Sequence, residues 1–120
     1  MTNEQLKGRT KKFSIMVIDL VEKMPSTIST RVILNQIVKS ATSVGANYRA
    51  VCRARSDREF VSKMNIVLEE ADETLFWLEI IIEKEWINKS DVEAIWNEGN
   101  ELTVIFVSSL KTINNRINGK

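Results

Sequence analysis

Residues 36–77, QIVKSATSVGANYRAVCRARSDREFVSKMNIVLEEADETLFW, decide the fold of this chain. The first part of this stretch repeats apolar side chains in steps of three and four, the spacing of one face of an α-helix. The middle, RARSDREF at 53–60, predicts a tight hinge between two antiparallel helices. The apolar face before the hinge consists of Leu34, Ile37, Ala41, Val44, Tyr48 and Val51.

A second stripe of residues lies one position before four of these apolar side chains, and its members are uncharged and polar. Such a stripe suits a helix seam, where small residues let another helix approach and the buried hydroxyls and amides are hydrogen-bonded. If the chain folds back near Arg55, two side chains of the following helix come within reach. The predicted structural seam is Gln36, Ser40, Ser43, Asn47, Glu70 and Thr74.

The sequence on either side of residues 36–77 predicts two further helices, one before this stretch and one after it. Pro25 ends the first helix, because proline cannot donate to the i−4 carbonyl and disfavours helical geometry in the residue before it. A Ser or Thr followed three residues later by Glu or Gln marks a capping box at a helix start. The predicted capping boxes are Thr2 with Gln5, Ser56 with Glu59 and Ser90 with Glu93.

These signals predict an all-α fold, a single domain over residues 1–120. Because the turns are short, the four helices should form an antiparallel up-down-up-down bundle. Gly45 lies inside the second helix and predicts a close helix crossing. Three helices are apolar over more than one stripe, which predicts self-association. The predicted helices span about 4–23, 27–53, 57–85 and 91–117.

Composition excludes several classes of protein. There is no histidine, which removes Ser-His and Cys-His nucleophile pairs and the Glu-x-x-His ligands of di-iron bundles. Cys52 is the only cysteine, so no intrachain disulfide can form and a reducing, cytoplasmic location is expected. The uncharged stretches are too short to span a membrane, for which about 18 apolar residues are needed.

Catalysis has little support in the sequence. The carboxylates of the third helix could in principle hold Mg²⁺ or Ca²⁺. A solvated acidic helix face is the favoured interpretation, because helix surfaces commonly carry such charges. We therefore predict no catalytic residue, no metal site, no cofactor and no enzymatic activity.

Charge is unevenly distributed along the chain. Residues 1–63 carry 12 Lys or Arg against 5 Asp or Glu, whereas residues 64–120 carry 5 against 11. Such a chain can pair its two halves internally or present a basic face to a polyanion. Both interpretations stay open at this point.

The basic residues cluster at the end of the second helix and in the hinge. Arginines four residues apart project from one helix face and can contact successive phosphates, and oligomerisation would multiply the patch. The alternative is ion pairing with Glu59, Glu70 or Glu73. A second basic group, Lys7, Arg9, Lys11 and Lys12, lies at the chain start. The predicted nucleic-acid-binding residues are Arg49, Arg53, Arg55, Arg58 and Lys63.

Residues 36–81, which extend the stretch quoted above to LEII, resemble the four-helix-bundle proteins encoded in intervening sequences of bacterial 23S rRNA genes. This resemblance implies a ring-shaped homopentamer, no established catalytic residue and, for most members, an unknown function. The fold is also similar to the accessory protein of diversity-generating retroelements, which binds a reverse transcriptase and nucleic acid. The matching residues are Gln36, Ser40, Ser43, Gly45, Ala46, Asn47, Tyr48, Arg53, Ala54, Ser56, Phe60, Lys63, Glu69, Glu70, Glu73, Thr74, Trp77, Leu78 and Glu79.

Two hypotheses about function follow. The first is a non-enzymatic, oligomeric protein that binds the backbone of RNA or DNA through the basic cluster. The second is a scaffold or accessory subunit that recruits a protein partner through its apolar faces and acidic second half, without nucleic acid.

Overall fold

The computed structural model describes residues 1–119, and α-helices account for most of that part of the chain. This confirms the predicted all-α, four-helix fold. The helices begin and end within two residues of the predicted positions. They are α1 (Asn3–Glu22), α2 (Ile28–Cys52), α3 (Asp57–Lys84) and α4 (Lys89–Asn118).

Side chains cap the helix starts, and at α1 they are the predicted ones. Thr2 Oγ1 accepts from the Gln5 N–H at 3.1 Å, and Gln5 Oε1 accepts from the Thr2 N–H at 2.9 Å. At α3 only half of the predicted box is present. Ser56 Oγ accepts from the Glu59 N–H at 3.1 Å, but the Glu59 carboxylate accepts from the N–H of Arg55 rather than from that of Ser56.

The capping box predicted at the start of α4 is wrong. Asn88 is the N-cap residue, and its Oδ1 accepts from the N–H of Ser90 at 3.1 Å and from the Ser90 hydroxyl at 2.9 Å. Asparagine satisfies the free N–H groups of a first turn as well as serine does. The helix therefore begins at Lys89, ahead of the predicted position.

All four helices contribute to one apolar core. α1 packs on α2, α2 on α3 and α3 on α4, whereas α1 and α4 share a smaller contact. Tyr48 of α2 and Phe106 of α4 meet inside it, with ring centroids 6.2 Å apart. The molecule is a rod with extents of 53 × 23 × 20 Å. The largest fully buried side chains are Tyr48, Phe13, Phe106, Ile37, Met64, Leu78, Ile81 and Leu102.

Gly45 lies at a close contact between α1 and α2. A methyl group in place of its hydrogen would lie 3.5 Å from the backbone of Thr10 and Lys11. That distance is an ordinary van der Waals contact, so the two helices approach closely with room for one small group between them. The structure confirms the crossing predicted at this glycine.

Gly99 lies at a tighter contact, which the sequence did not reveal. A methyl group there would lie 2.9 Å from Cζ of Phe13 and 3.0 Å from a methyl of Leu75. Phe13 is fully buried, and close-packed interiors leave such a ring little space to shift. Gly99 is therefore the position at which α4 accommodates the Phe13 ring of α1.

A charged contact also joins α1 to α4. The Arg9 guanidinium donates from Nε and Nη2 to the two carboxylate oxygens of Glu98, at 2.8 and 2.9 Å, and pairs with Glu101 at 2.7 Å. The Arg9 side chain is only 19% exposed and that of Glu98 23%. These hydrogen bonds raise the pKa of Arg9. We call the two-point contact between Arg9 and Glu98 the fork. It pairs a basic residue of the first half of the chain with an acidic residue of the second half, which is one of the two interpretations of the charge distribution.

The predicted polar seam between α2 and α3 is reduced to one buried hydroxyl pair. Thr74 Oγ1 donates to Ser40 Oγ at 2.8 Å, and neither residue has exposed surface. Gln36 is exposed, while Ser43 and Asn47 donate to backbone carbonyls of their own helix. The stripe lies at the edge of the α2 core face, so only the member opposite Thr74 is covered by α3.

Glu70 does not complete the seam with its side chain. Its backbone carbonyl oxygen lies 2.8 Å from Thr74 Oγ1. Burial, followed by repulsion from Glu73 and Glu69, raises the pKa of the Glu70 carboxyl. This carboxylate is therefore held near other negative charges rather than paired with the predicted arginines.

Candidate functional site

The five basic residues predicted from the sequence gather around the α2–α3 hinge. Arg49 lies in the last turn of α2, Arg53 is the C-cap of that helix, and Arg55 lies in the hinge. Arg58 and Lys63 follow in the first two turns of α3. All but Lys63, which is half-buried, are exposed.

Most of this cluster makes no ion pair with the described part of the chain. Arg55 pairs with Glu59 at 3.2 Å, and this hydrogen bond lowers the pKa of the Glu59 carboxyl. The Arg55 side chain is still 87% exposed, and such surface pairs are weak. Within residues 1–119, the other four basic side chains make no ion pair. They are Arg49, Arg53, Arg58 and Lys63.

A groove between α1 and α2 brings two of these arginines to the basic start of the chain. It has a volume of about 430 Å³, with Lys7 and Lys11 on the α1 side and Arg49 and Arg53 on the α2 side. We call this the basic groove. Small and hydroxyl-bearing residues line the rest of it: Ser14, Thr42, Gly45, Ala46 and Ala50.

The hydroxyl groups in the basic groove are already occupied as donors. Ser14 Oγ lies 2.8 Å from the carbonyl oxygen of Ala41, and Thr42 Oγ1 donates to the carbonyl of Val38 at 2.7 Å. Lys7 has one partner, Glu4 at 3.1 Å on its own helix. The groove can therefore bind a ligand mainly through its positive charge. A ligand rich in anionic oxygen atoms would complement this charge.

The basic groove was not predicted from the sequence, although the spacing of its basic residues indicates it. Lys7 and Lys11 are four residues apart, as are Arg49 and Arg53, so each pair projects from one face of its helix. Which helix faces lie opposite each other cannot be derived from that spacing. The structure separates the four basic residues of the chain start, because Arg9 turns to Glu98 and Lys12 lies beside it, outside the groove.

A second cleft lies on the other side of the hinge. Arg116 of α4 reaches Asp57 at the start of α3, with Nε to Oδ2 at 2.9 Å and Nη2 to Oδ1 at 2.6 Å. This pairing lowers the pKa of the Asp57 carboxyl. Cys52 lines the same cleft, and burial raises the pKa of the neighbouring Tyr48 phenol. Two of the cleft's charges, Arg116 and Asp57, are therefore paired with each other, whereas Arg49 and Arg53 of the basic groove make no ion pair within residues 1–119.

The described part of the chain contains neither a cluster of metal ligands nor a membrane-spanning helix. Within residues 1–119, no three His, Cys, Asp or Glu side chains converge closely enough to hold a metal ion. No helix there combines the length and apolar character needed to cross a membrane.

Fold and groove together define an all-α bundle protein with an exposed polycationic surface. The chain belongs to the 23S rRNA-intervening sequence protein family, whose sequence profile matches residues 4–108. This confirms the resemblance inferred from the sequence.

A solved structure from Bacteroides thetaiotaomicron has the same fold. It is described as a protein with unknown function from the S23 ribosomal protein family. It superimposes with a TM-score of 0.79 and is 32% identical in sequence, and the match covers 88% of this chain and 97% of that one. No curated protein matches the chain.

Proposed function

We propose that the protein binds the backbone of RNA or DNA, without sequence preference and without catalysis, through the basic residues around the α2–α3 hinge. One observation carries this conclusion. Four of the five predicted basic residues make no ion pair within residues 1–119. Structural ion pairing, the competing interpretation of the cluster, therefore applies to Arg55 alone.

Backbone contact fits this surface better than base recognition. Lysine and arginine side chains neutralise phosphates and release counterions, which supplies most of non-specific nucleic-acid affinity. Stacking of bases requires accessible aromatic rings, but of the rings near the basic cluster, Tyr48 is buried in the core and Phe60 packs against it. The affinity should therefore depend strongly on salt and weakly on base sequence.

Charge reversal at the hinge should remove the binding. We expect Arg53→Glu combined with Arg55→Glu to weaken binding to RNA or DNA at least about tenfold at low salt, since lost phosphate contacts are replaced by repulsion. Filter binding at a series of salt concentrations measures both the affinity and its salt dependence.

A charge-matched control separates local contact from net charge. Lys23 and Lys84 are exposed, and Lys84 lies in the last turn of α3, at the opposite end of that helix from the hinge. Lys23→Glu with Lys84→Glu changes the net charge equally and should reduce binding much less. No binding at low salt, or equal losses in both variants, would refute the proposed function.

Assembly is part of the same proposal. We propose an up-down-up-down bundle that forms a ring-shaped homopentamer, as the family resemblance implies. Contacts such as Tyr48 with Asn3 and Ser14 with Ala41 support the antiparallel pairing of α1 and α2. Large apolar side chains left exposed in the single chain support self-association. They are Ile15, Ile28, Val32, Ile66, Phe76, Val104 and Val107.

Self-association has a direct measurement. Sedimentation velocity at micromolar concentration should give a single species of about five chain masses, because one copy would cover the apolar surface of the next. A monomer at that concentration would contradict the assembly while leaving the basic surface intact.

Recruitment of a protein partner is the second candidate. Phe76 is 52% exposed and Ile66 40%, on a helix that also presents Glu69 and Glu73 to solvent. An acidic, partly apolar face suits a basic protein surface. Purification from the native host without nuclease distinguishes the candidates, since nucleic-acid binding predicts nucleic acid in the eluate and recruitment predicts a stoichiometric protein. Similarity to the retroelement accessory protein is a hypothesis compatible with both candidate functions, because that protein binds a protein partner as well as nucleic acid.

A further inference from the structure

We propose that the basic groove is a site for consecutive phosphates of one nucleic-acid strand, so that the protein prefers single strands to duplexes. This inference rests on the proposed function for the nature of the polyanion. It goes further by assigning Lys7 and Lys11 to the site and by naming the form of nucleic acid that fits.

The cations are arranged on two opposite sides of the groove. Lys7 and Lys11 of α1 face Arg49 and Arg53 of α2 across the lining. On each side the two charges are four residues apart, about 6 Å along a helix with a rise of 1.5 Å per residue. That repeat is comparable to the distance between neighbouring phosphates of an extended strand. One strand lying in the groove can therefore be contacted from both sides at successive phosphates.

The floor of the groove is low because its residues are small. Gly45 brings α2 against the α1 backbone, where even an added methyl group would be 3.5 Å away, and Ala46 and Ala50 continue the floor. The groove has a volume of about 430 Å³. A chain of phosphates can thus enter between the two rows of charge.

Shape distinguishes one strand from two. Packed helix axes lie about 8–10 Å apart, so the space between two rows of side chains is narrow. A flexible strand can place its phosphates in that space. B-form DNA is stiff over about 150 bp, so its backbone cannot bend to follow a short groove and fewer of its phosphates reach the side chains. A duplex should therefore gain fewer contacts than a strand does.

Apart from the two arginines, the lining residues offer no group for base recognition. The lining contains no aromatic side chain for stacking, and the donor capacity of Ser14 and Thr42 is used by backbone carbonyls. Binding in the groove should accordingly depend on the phosphates alone.

Fluorescence anisotropy with three probes tests the inference. The probes are a labelled oligothymidylate, which forms no duplex by itself, a mixed-sequence DNA duplex of equal length, and inorganic tripolyphosphate as an unlabelled competitor. We expect the oligothymidylate to bind at least about tenfold more tightly than the duplex. Four phosphate contacts at about −0.7 each predict a slope of about −2.8 for log affinity against log salt.

Two pairs of variants place the strand in the groove. Lys7→Glu with Lys11→Glu should weaken oligothymidylate binding at least about tenfold, whereas Lys23→Glu with Lys84→Glu, equal in charge but outside the groove lining and the hinge cluster, should weaken it less. Ala46→Leu fills the floor without changing charge and should also weaken it. Asn35→Leu, the same new side chain at an exposed position of α2 away from the groove, should not. Circular dichroism verifies that each variant is folded.

The outcomes separate this inference from the proposed function. If nucleic acid binds but the duplex binds as tightly as the strand, or if the Lys7, Lys11 and Ala46 variants retain affinity, the groove is not the site and the general function stands. If neither nucleic acid binds, both fall. Isothermal titration calorimetry measures tripolyphosphate directly. If tripolyphosphate binds while neither nucleic acid does, and this binding is lost in the Lys7 and Lys11 variant, the groove is a site for free polyphosphate and the proposal of a nucleic-acid strand is wrong.

Discussion

Alanine at Gly99 is expected to lower the free energy of unfolding by up to about 2 kcal/mol, whereas alanine at Gly45 should raise it by up to about 1 kcal/mol. Both glycines lie inside helices, where alanine is favoured over glycine by about 1 kcal/mol. The two substitutions are chemically identical, so the difference between them reports the space at each position.

Space is what the structure distinguishes at these two glycines. At Gly99 the new methyl group would lie 2.9 Å from the Phe13 ring, closer than unstrained carbon atoms approach, and the ring has no exposed surface into which it could turn. Overpacking of this kind costs about 1–3 kcal/mol, which outweighs the gain in helix propensity. At Gly45 the nearest atoms are 3.5 Å away, so the gain is kept.

Urea unfolding of the two variants measures the difference. Phe13→Leu shortens the side chain that blocks Gly99, so the loss caused by Gly99→Ala should be smaller in that background than in the native one. Equal stability of the Gly45 and Gly99 variants would show that α4 can move away from Phe13 without cost.

Breaking the fork between Arg9 and Glu98 has the second large effect. Arg9→Ala is expected to destabilise the protein by about 1–2 kcal/mol, since it removes two charge-assisted hydrogen bonds and the packing of the side-chain stem. The fork joins α1 to α4, the helix pair with the smaller contact, so few other interactions compensate. Exposure of 19% and 23% at the two side chains leaves the pair partly screened, which keeps the expected loss below that of a fully buried pair.

A double-mutant cycle isolates this interaction. Arg9→Ala and Glu98→Ala combined should cost less than the sum of the single losses, because each removes the same hydrogen bonds. Arg116→Ala is the matched control, since Arg116 forms the same two-point contact with Asp57 but is more exposed. It should change the unfolding midpoint less than Arg9→Ala does, because solvent screens surface pairs. Additive losses in the cycle would mean that Arg9 stabilises through packing alone.

The polar seam could be predicted only in part from the spacing of residues along α2. Ser40 and Thr74 form the expected buried contact, whereas Gln36 stays exposed and two other members bond to their own helix. Spacing along α2 placed these residues on one stripe, but how far α3 covers the stripe depends on the angle between the helices. The N-cap of α4 was predicted wrongly because Asn88 and Ser90 are both good N-cap residues. The local sequence does not show which of the two caps the helix.

By itself, the sequence determined the four helices, their approximate ends, the close contact at Gly45 and the family. These features depend on local spacing, on the missing N–H of proline and on side chains that cap their own helix, all of which act within a few residues. Tertiary structure decided which charges meet. Lys7 and Lys11 share a face of α1 while Arg9 lies on another, because a helix turns by about 100° per residue. Only the packing of α1 between α2 and α4 directs the lysines to Arg49 and Arg53 and the arginine to Glu98.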